Sequence, residues 1–405
     1  MLTLPSISEK NNWILISILL TVLFLPNIEA PKNIMILVFV FLWGIFSYRK
    51  GDFGGDWNKS DGIFLSIIIV NIIVALNANF IHEQPMKGAN DILRIFIFGW
   101  IITRIRFSSE DIYLLVFVSA FSILTILSNF ITCPKLGSCI QLNSVGHVNH
   151  TAIYLIIALS FSLPLFVDKY KKLPIWFRLS GLVYFIFIFS MVIATQSRAA
   201  TGAVFLLLLI TFVYLLFRKE FVKLKGLGII LLITIVFGAI NPPKVMDKFI
   251  YGSAIIGDSP RQKIRNFSYE IFKLDPFLGT GMNNFPNFEM EDIKNQVIEE
   301  KGVEWWQENS SLVYAPYAHP HSLYYTYLTG GGILFLSVLM FFWTRVSIEI
   351  IKNFKNEDHW LNVSTLSVVL VNLLVGIVNS TFAHEHGLLS ILIIGVFLSR
   401  RRYGG

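Results

Sequence analysis

The chain has 405 residues, of which 54% are hydrophobic and only 15% are charged, and its mean hydropathy is +0.64. Soluble domains are roughly 45 to 50% apolar and about 25% charged, so this composition excludes a soluble globular protein. The formal net charge of +7 follows from the loop topology described below, and it therefore does not indicate nucleic-acid binding.

Apolar windows of about 17 to 25 residues recur along the whole chain, and each can cross a hydrocarbon core of roughly 30 Å as a helix. The sequence thus predicts an all-α integral membrane protein with about twelve transmembrane helices. The predicted spans are residues 13–28, 33–48, 62–81, 91–105, 112–132, 151–167, 179–197, 200–217, 227–241, 323–343, 360–380 and 387–399. No small-residue cleavage site follows the first span, so we expect a retained helix and not a removed signal peptide.

Basic residues alternate between the loops and predict the orientation. By the positive-inside rule, the loops rich in lysine and arginine, together with both termini, are predicted to be cytoplasmic. The basic residues of this side are Arg49, Lys50, Lys59, Arg104, Arg106, Lys169, Lys171, Lys172, Arg178, Arg218, Lys219, Lys223, Lys225, Arg345, Lys352, Lys355, Arg400, Arg401 and Arg402. The intervening short loops hold only Lys32, Lys87, Lys135 and Arg198.

A long polar segment, residues 242–322, separates the ninth and tenth predicted spans on the outer side. Its length is typical of a functional or disordered loop, and its periodic apolar positions predict two or more short helices. The domain prediction is therefore residues 1–241 with spans one to nine, 242–322 as the loop domain, and 323–405 with the last three spans and the tail. In another outer loop, Cys133 and Cys139 are either a disulfide or two free thiols.

Seven of the eight histidines are predicted at the outer interface, and His321 is the most informative of them. It follows His319 and precedes a span that opens with Tyr324 and continues with three glycines, Gly330–Gly332, where missing side chains permit a close approach. A histidine at a helix end is more often an interfacial hydrogen-bonding group than a catalyst. A base in catalysis is the alternative interpretation of His321.

Four arginines accompany these histidines. Arg198 lies alone in a tight outer hairpin, against the general charge bias, and Arg94 lies about one turn inside the outer end of its helix. Arg261 and Arg265 are four residues apart and share one face of a predicted helix. Snorkelling of Arg94 and solvation of the Arg261 and Arg265 pair are the structural alternatives to diphosphate binding.

The segment LGTGMNNFPNF, residues 278–288, contains Gly279 and Gly281 in a G-x-G pattern. A dinucleotide fingerprint needs a third glycine and a strand–helix–strand context, and both are missing here. The segment is therefore interpreted as a turn at the membrane surface.

Three segments together resemble the O-antigen ligase and O-antigen polymerase superfamily: ATQSRAATGAV, PRQKIRNFSYEIFKLDPFLGTGMNNF and AHPHSLYYTYLTGGGILF. In the ligase pattern a histidine and a following Asn, Ser or Gln precede a glycine after nine residues, as His321 and Ser322 precede Gly332 here. The pattern then has Gly, Thr or Tyr three positions further, where this chain has Phe335. Because of this departure, the pattern does not decide between a ligase and a polymerase.

The resemblance implies a glycosyltransferase of the bacterial inner membrane with its active site facing the periplasm. Such enzymes take a glycan from undecaprenyl diphosphate and, in the ligase case, attach it to a hydroxyl of the lipid A core oligosaccharide. Against this chemistry we assign His321 as the general base and Arg198 and Arg261 as diphosphate clamps. Arg265, His319, Arg94 and Tyr324 are the further substrate-binding candidates, and direct attack by the acceptor would invert the anomeric centre.

We expect no metal and no cofactor, because the first outer loop offers only Glu29 where metal-dependent membrane glycosyltransferases place paired carboxylates. The expected partners are the lipid-linked donor, the core acceptor and membrane lipids. The alternatives are an O-antigen polymerase, a protein O-oligosaccharyltransferase and, in a different class, a transporter or flippase. Charges near the midplane and repeated halves are typical of transporters, whereas the polar residues here gather at the outer face.

Overall fold

The computed structural model describes residues 9–78, 85–127, 140–220, 260–354 and 359–403, together with residues 227, 228, 230, 232 and 236. Within these residues the chain forms helices and no strands, which confirms the prediction of an all-helical protein. The helices are α1 (Glu9–Phe24), α2 (Glu29–Lys50), α3 (Lys59–Ala78), α4 (Pro85–Thr103), α5 (Ser109–Ser122), α6 (Val148–Lys169), α7 (Ile175–Ala194), α8 (Arg198–Phe217), α9 (Pro260–Leu274), α10 (Met290–Lys301), α11 (Val303–Val313), α12 (Leu323–Lys352), α13 (His359–Leu370) and α14 (His384–Tyr403).

Six described helices are long and apolar enough to cross a membrane, so the protein is a multi-pass helical membrane protein. They are α2, α3, α6 with the turn that follows it, α7, α8 and α12. Shorter apolar helices run over Asn12–Phe24 and His359–Val375. The total of about twelve spans stays a prediction, and most of the span predicted at 227–241 lies outside the described residues. Cys133, Cys139 and His82 also lie outside them.

The centre of the bundle is formed by α14 and α6. Every residue of α14 from Glu385 to Ser399 is buried, and α14 packs against α4 and α6. Small residues permit this close packing, since a Cβ atom at Gly395 would lie 2.7 Å from the Ile102 side chain. A helix that is buried on all sides fixes the positions of both its ends, and each end of α14 carries a cluster of charged or histidine side chains.

Residues 260–315 form a small unit with its own apolar core. Helices α9, α10 and α11 bury Phe267, Ile293 and Tyr314 together. The Glu270 carboxylate accepts hydrogen bonds from the Tyr314 hydroxyl at 3.2 Å and from the Gln296 amide at 2.8 Å. This core gives α9, and therefore Arg261, a rigid support.

Helix α12 is interrupted at Gly332, whose φ of 63° and ψ of −169° are not helical. The break frees backbone groups, and the segment 276–281 satisfies them: Thr280 and Gly281 donate to the carbonyls of Thr329 and Gly330, while Ile333 donates to the carbonyl of Pro276. A Cβ atom at Gly332 would lie 2.2 Å from the Phe277 carbonyl oxygen, so only glycine permits this approach.

The glycines of the G-x-G pattern therefore have a structural role. Gly279 and Gly281 both have positive φ, and a Cβ atom at Gly279 would lie 2.5 Å from the Gly332 nitrogen. The sequence predicted a close approach at the glycines of α12. This turn occupies the space beside them. The small unit is thereby hydrogen-bonded directly to the first half of α12. His321 lies two residues before the start of this helix.

Candidate active site

Six of the predicted outer histidines lie in one cluster, built from the starts of three helices. His147 caps α6, and His150 lies in its first turn. His384 and His386 begin α14. The His150 ring stacks on His386, with Nδ1 of His150 at 2.9 Å from Nε2 of His386, and its centroid lies 6.5 Å from that of His384. The cluster joins parts of the chain that are more than two hundred residues apart.

His319 and His321 complete the cluster from the segment that precedes α12. Their ring centroids lie 4.0 Å apart, and His319 lies 5.9 Å from His150. Tyr317 packs against both rings, at 5.0 Å from His321 and 5.8 Å from His319. Nδ1 of each of these two histidines is buried with no hydrogen-bond partner among the described residues. Two buried ring nitrogens thus remain available to a ligand.

The backbone holds His321 in a defined position. Its φ of 54° lies in the left-handed region, which a residue with a side chain adopts only where its surroundings impose it. The next two residues supply that constraint: the Ser322 hydroxyl donates to the Gly376 carbonyl at 3.1 Å, and the Leu323 amide donates to the same carbonyl at 2.8 Å. Gly376 follows a π-helical turn, Val371–Val375, at the end of α13. This anchor orients the imidazole relative to the bundle.

The predicted arginines approach the cluster from two more helix starts. Arg198 is the first residue of α8, directly after a hairpin in which Gln196 has a φ of 56°. Arg261 lies in the first turn of α9, and Arg265 follows one turn later. The positive charges of Arg198 and Arg265 both act on Arg261, and the charge of Arg261 acts on His319 and His321. Arg261 therefore links the hairpin arginine electrostatically to the histidines.

The electrostatics of the site disfavour further positive charge. Burial, and then the neighbouring Arg198 and Arg265, lower the pKa of Arg261, although a guanidinium remains charged at neutral pH. Burial, followed by the charges of His319, Arg261 and His147, lowers the pKa of His321 to about 4. Burial also lowers the pKa of His319. At neutral pH the two imidazoles are thus uncharged, and His321 can accept a proton.

The ends of five helices add to this preference for an anion. Helices α6, α12 and α14 begin at or next to the cluster, while α8 begins at Arg198 and α9 one residue before Arg261, the arginine whose charge acts on His319 and His321. The start of a helix carries unpaired N–H groups and a partial positive charge, which favour anions such as phosphate. The site therefore combines fixed positive charge with neutral imidazoles, an arrangement suited to an anionic leaving group and a proton acceptor.

Two predicted candidates lie in other surroundings. The Arg94 guanidinium donates to Asn33 at 2.6 Å and to Asp91 at 3.2 Å. The Tyr324 hydroxyl donates to the Leu373 carbonyl at 3.0 Å. Both side chains thus have protein partners, and the contacts that build the histidine cluster do not include them. Their assignment to substrate binding stays a prediction.

The sequence left the roles of His147, His150, His384 and His386 unassigned, and it did not indicate the buried ion pair beside them. Lys32, which is 0% exposed, pairs with Glu385. The Ser144 hydroxyl accepts from Lys32 at 2.7 Å and donates to Glu385 at 3.2 Å. A lysine on the predicted outer side, where basic residues are rare, was the signal that could have pointed to such a partner.

Among the described residues, no group of three or more histidine, cysteine, aspartate or glutamate side chains is arranged to hold a metal ion. Metal independence itself stays a prediction. Its test is transfer activity after chelation with EDTA, since recovery on addition of a divalent ion would contradict it.

Residues 183–342 match a family described as O-antigen ligase. The matched part contains the second half of α7, α8, the small unit with Arg261, His321 and about the first two thirds of α12. The match confirms the resemblance to the O-antigen ligase superfamily. The chain matches no curated protein.

Proposed function

Because residues 183–342 carry an O-antigen ligase domain, we propose that this membrane protein transfers a glycan from undecaprenyl diphosphate to a hydroxyl of the lipid A core oligosaccharide. The observation that supports the proposal is that Arg261 interacts electrostatically both with Arg198 at the start of α8 and with His321 just before α12. The family match supports the reaction class, and the substrates are the finer part of the proposal.

The donor is already activated, since the diphosphate is a good leaving group. In the proposed step His321 takes the proton from the acceptor hydroxyl, and the hydroxyl oxygen forms a bond to the anomeric carbon. The bond between that carbon and the diphosphate oxygen breaks with inversion, and undecaprenyl diphosphate leaves. Arg198 and Arg261 stabilise the negative charge that grows on the leaving oxygen, which lowers the barrier more than it strengthens donor binding.

The lowered pKa of His321 fits a base that is activated by its substrate. In the free protein the positive charge of Arg261 disfavours protonation of the imidazole. A bound diphosphate compensates that charge, so the basicity of His321 rises when the donor is present. Proton transfer is then favoured at the moment when the acceptor is to be activated.

His319 and the His150–His386 pair act on the same base. His319 lies against His321, and His150 links it to His386 at the start of α14. In the proposal these rings position His321 and supply a path by which its proton leaves the site. His319 also offers its unpartnered Nδ1 to the donor.

An apolar groove of about 830 Å³ supports a lipid-linked donor. It runs along α5, α6 and α7, with Phe121, Phe166 and Tyr184 among its lining residues. Helix α7 leads from this groove to the hairpin of Arg198. The lining residues of α7 end at Phe187, about two helical turns before the hairpin, so the groove is suited to the polyprenyl chain and not to the diphosphate.

The decisive experiment is reconstitution of the purified protein with a lipid-linked glycan and a core oligosaccharide acceptor. Transfer to the core supports the ligase, and joining of one repeat unit to another on the carrier would assign the polymerase reaction. In a deletion strain the ligase leaves polymer on undecaprenyl diphosphate and none on the core, whereas loss of a polymerase leaves a core with a single repeat. Loss of the glycan from a pilin-like protein would instead indicate protein glycosylation.

A further inference from the structure

A second charged pocket lies at the opposite end of α14, away from the histidine cluster. It has a volume of about 210 Å³ and is bounded by the start of α3 and by the last turns of α12 and α14. Four basic residues line it, and among the described lining residues Glu349 is the only carboxylate; the basic residues are Lys59, Arg345, Arg401 and Arg402. Three helices that are distant in sequence thus bring four cations to one cavity.

Protein groups neutralise only part of this charge. Arg345 pairs with Glu349 at 2.5 Å, and Arg402 pairs with the buried carboxylate of Asp61. The Arg401 guanidinium donates to the neutral Asn362 side chain at 2.9 Å. Asp61 is moreover shared with Arg104. Lys59, in contrast, pairs with no carboxylate among the described residues, so the pocket keeps a cation that those residues do not neutralise.

Arg345 also has an unused donor at the pocket. Its Nε is buried and has no hydrogen-bond partner among the described residues. A buried N–H without a partner is unfavourable, and a hydrogen bond to a ligand oxygen removes that cost. Lys59, in contrast, is exposed at the first turn of α3, where the helix start favours an anion. The pocket thus offers both a guanidinium and an ammonium to one ligand.

The location of the pocket restricts the kind of anion. Lys59, Arg345, Arg401 and Arg402 all belong to loops and helix ends that the positive-inside rule predicts to be cytoplasmic. Basic pockets between membrane helices on this side bind the headgroups of anionic lipids. Guanidinium groups bind phosphate oxygens in pairs, and a cavity of this size holds a phosphate group.

We propose that this pocket binds the phosphate group of an anionic phospholipid of the inner leaflet, with Lys59 and Arg345 as its main ligands. The site is separate from the transfer reaction, because it lies at the other end of α14. A bound lipid would join α3, α12 and α14 at their cytoplasmic ends and so stabilise the folded bundle.

The test measures lipid binding to the purified full-length protein, in detergent, by native mass spectrometry and by the thermal unfolding midpoint. Phosphatidylglycerol, phosphatidylcholine and inorganic phosphate are titrated separately. We expect phosphatidylglycerol to bind and to raise the unfolding midpoint, and phosphatidylcholine and inorganic phosphate to do neither. Equal effects of the two lipids, or stabilisation by inorganic phosphate alone, would overturn the lipid site.

Variants locate the binding. Lys59→Gln removes one exposed cation and should weaken phosphatidylglycerol binding about fivefold, since a basic residue at a membrane surface contributes about 1 kcal/mol. The double variant Arg345→Gln with Glu349→Gln keeps the net charge, removes the unpartnered donor without leaving a lone carboxylate, and should also weaken binding about fivefold. Lys172→Gln, an exposed lysine on the same predicted face, is the matched control and should bind as the wild type does.

An equal loss of binding in Lys172→Gln would show a general surface charge effect and overturn the pocket. Wild-type lipid binding by both pocket variants would also overturn the proposal that the pocket binds the lipid. The unfolding midpoints of the variants without lipid verify that each is folded, so a failed variant is distinguished from a failed proposal.

Discussion

The two ends of α14 carry similar side chains in opposite electrostatic states. At the C-terminal end, Arg402 and Arg104 share the carboxylate of Asp61, which is 0% exposed. At the N-terminal end, the like charges of Arg198 and Arg265 act on Arg261, whose own charge acts on His319 and His321. The first cluster contains the carboxylate that pairs with its cations, whereas Arg261 meets two further positive charges in the second.

In the first cluster, each guanidinium nitrogen of Arg104 donates a hydrogen bond to a protein group. Its Nη1 donates to Asp61 at 2.6 Å, its Nη2 donates to the Gly55 carbonyl at 2.7 Å, and its Nε donates to the Phe53 carbonyl. The Asp61 carboxylate also accepts from Trp100 at 2.9 Å. A residue type alone thus does not mark a functional site. What distinguishes a candidate binding arginine from a structural one is whether the protein itself supplies the opposite charge.

The largest effect is expected from removal of the shared carboxylate. Asp61→Asn leaves Arg104 and Arg402 buried without their counter-charge, and breaking a buried pair costs about 3 to 5 kcal/mol. We expect a large fall in the unfolding midpoint and in the amount of inserted protein. The control is Glu291→Gln, which breaks an exposed pair with Lys294 and should leave the midpoint almost unchanged. A stable Asp61→Asn protein would contradict the contrast between the two ends.

The second prediction concerns the opposite end. Arg261→Gln should lower the transfer rate by about 10² to 10³, the loss typical of one group that stabilises developing charge. Because its neighbours Arg198 and Arg265 repel Arg261, the unfolding midpoint should stay the same or rise. Rates come from the reconstituted transfer assay and midpoints from the same preparations. Lys263→Gln is the matched control, because Lys263 is two residues from Arg261 and so lies on the other side of α9. A wild-type rate in Arg261→Gln would remove Arg261 from the mechanism.

A conservative substitution sharpens the comparison further. Arg104→Lys retains the charge beside Asp61 but loses the donors to the carbonyls of Phe53 and Gly55. A hydrogen bond to a charged group contributes about 1.5 to 3 kcal/mol, so we expect a moderate fall in the unfolding midpoint. Folded Arg104→Lys protein should transfer glycan at the wild-type rate. A slower rate at equal folded amounts would show that the two ends are coupled.

The smallest expected effect is a shift in pH dependence. A base works in its neutral form, and a lowered pKa moves its loss of activity to lower pH. With the pKa of His321 at about 4, kcat/KM should stay level from pH 7 down to about 5 and fall near 4. The acid limb of kcat reports the donor-bound enzyme and should lie at higher pH, because the diphosphate compensates Arg261.

The measurement is the transfer rate at limiting and at saturating donor over this pH range. His321→Gln should slow transfer strongly and remove the acid limb from the residual activity. Coincident limbs of kcat and kcat/KM, or an unchanged limb in His321→Gln, would show that another group is the base.

The helical class and several helix positions could be read from the sequence, because long apolar windows have one stable form in a membrane. The interruption of α12 could not. Its span was predicted over residues 323–343, whereas the helix runs over Leu323–Lys352 with Gly332 out of helical conformation. The break depends on hydrogen bonds from a turn some fifty residues earlier in the chain, and no local pattern contains that information.

The candidate site shows the same division. Arg198, Arg261 and His321 were selected by residue type, by predicted membrane side and by resemblance. In the structure the charge of Arg198 acts on Arg261 and that of Arg261 acts on His321, while their roles stay predictions. Arg94 was selected on similar grounds, but its guanidinium donates a hydrogen bond to Asn33 and forms an ion pair with Asp91. The pairing of His150 with His386 had no sequence indication, and that of Lys32 with Glu385 had only the unusual position of the lysine, since each pair joins segments more than two hundred residues apart.

Composition and apolar periodicity by themselves determined that this protein is a bundle of membrane helices, because the cost of an unpaired backbone group in lipid permits little else. Charge distribution likewise determined which loops carry the cations. Tertiary structure alone decided which cations are paired with carboxylates and which face other cations. Electrostatic energy depends on distances between side chains that folding brings together, and those distances separate the paired Asp61 cluster from the arginine and histidine site.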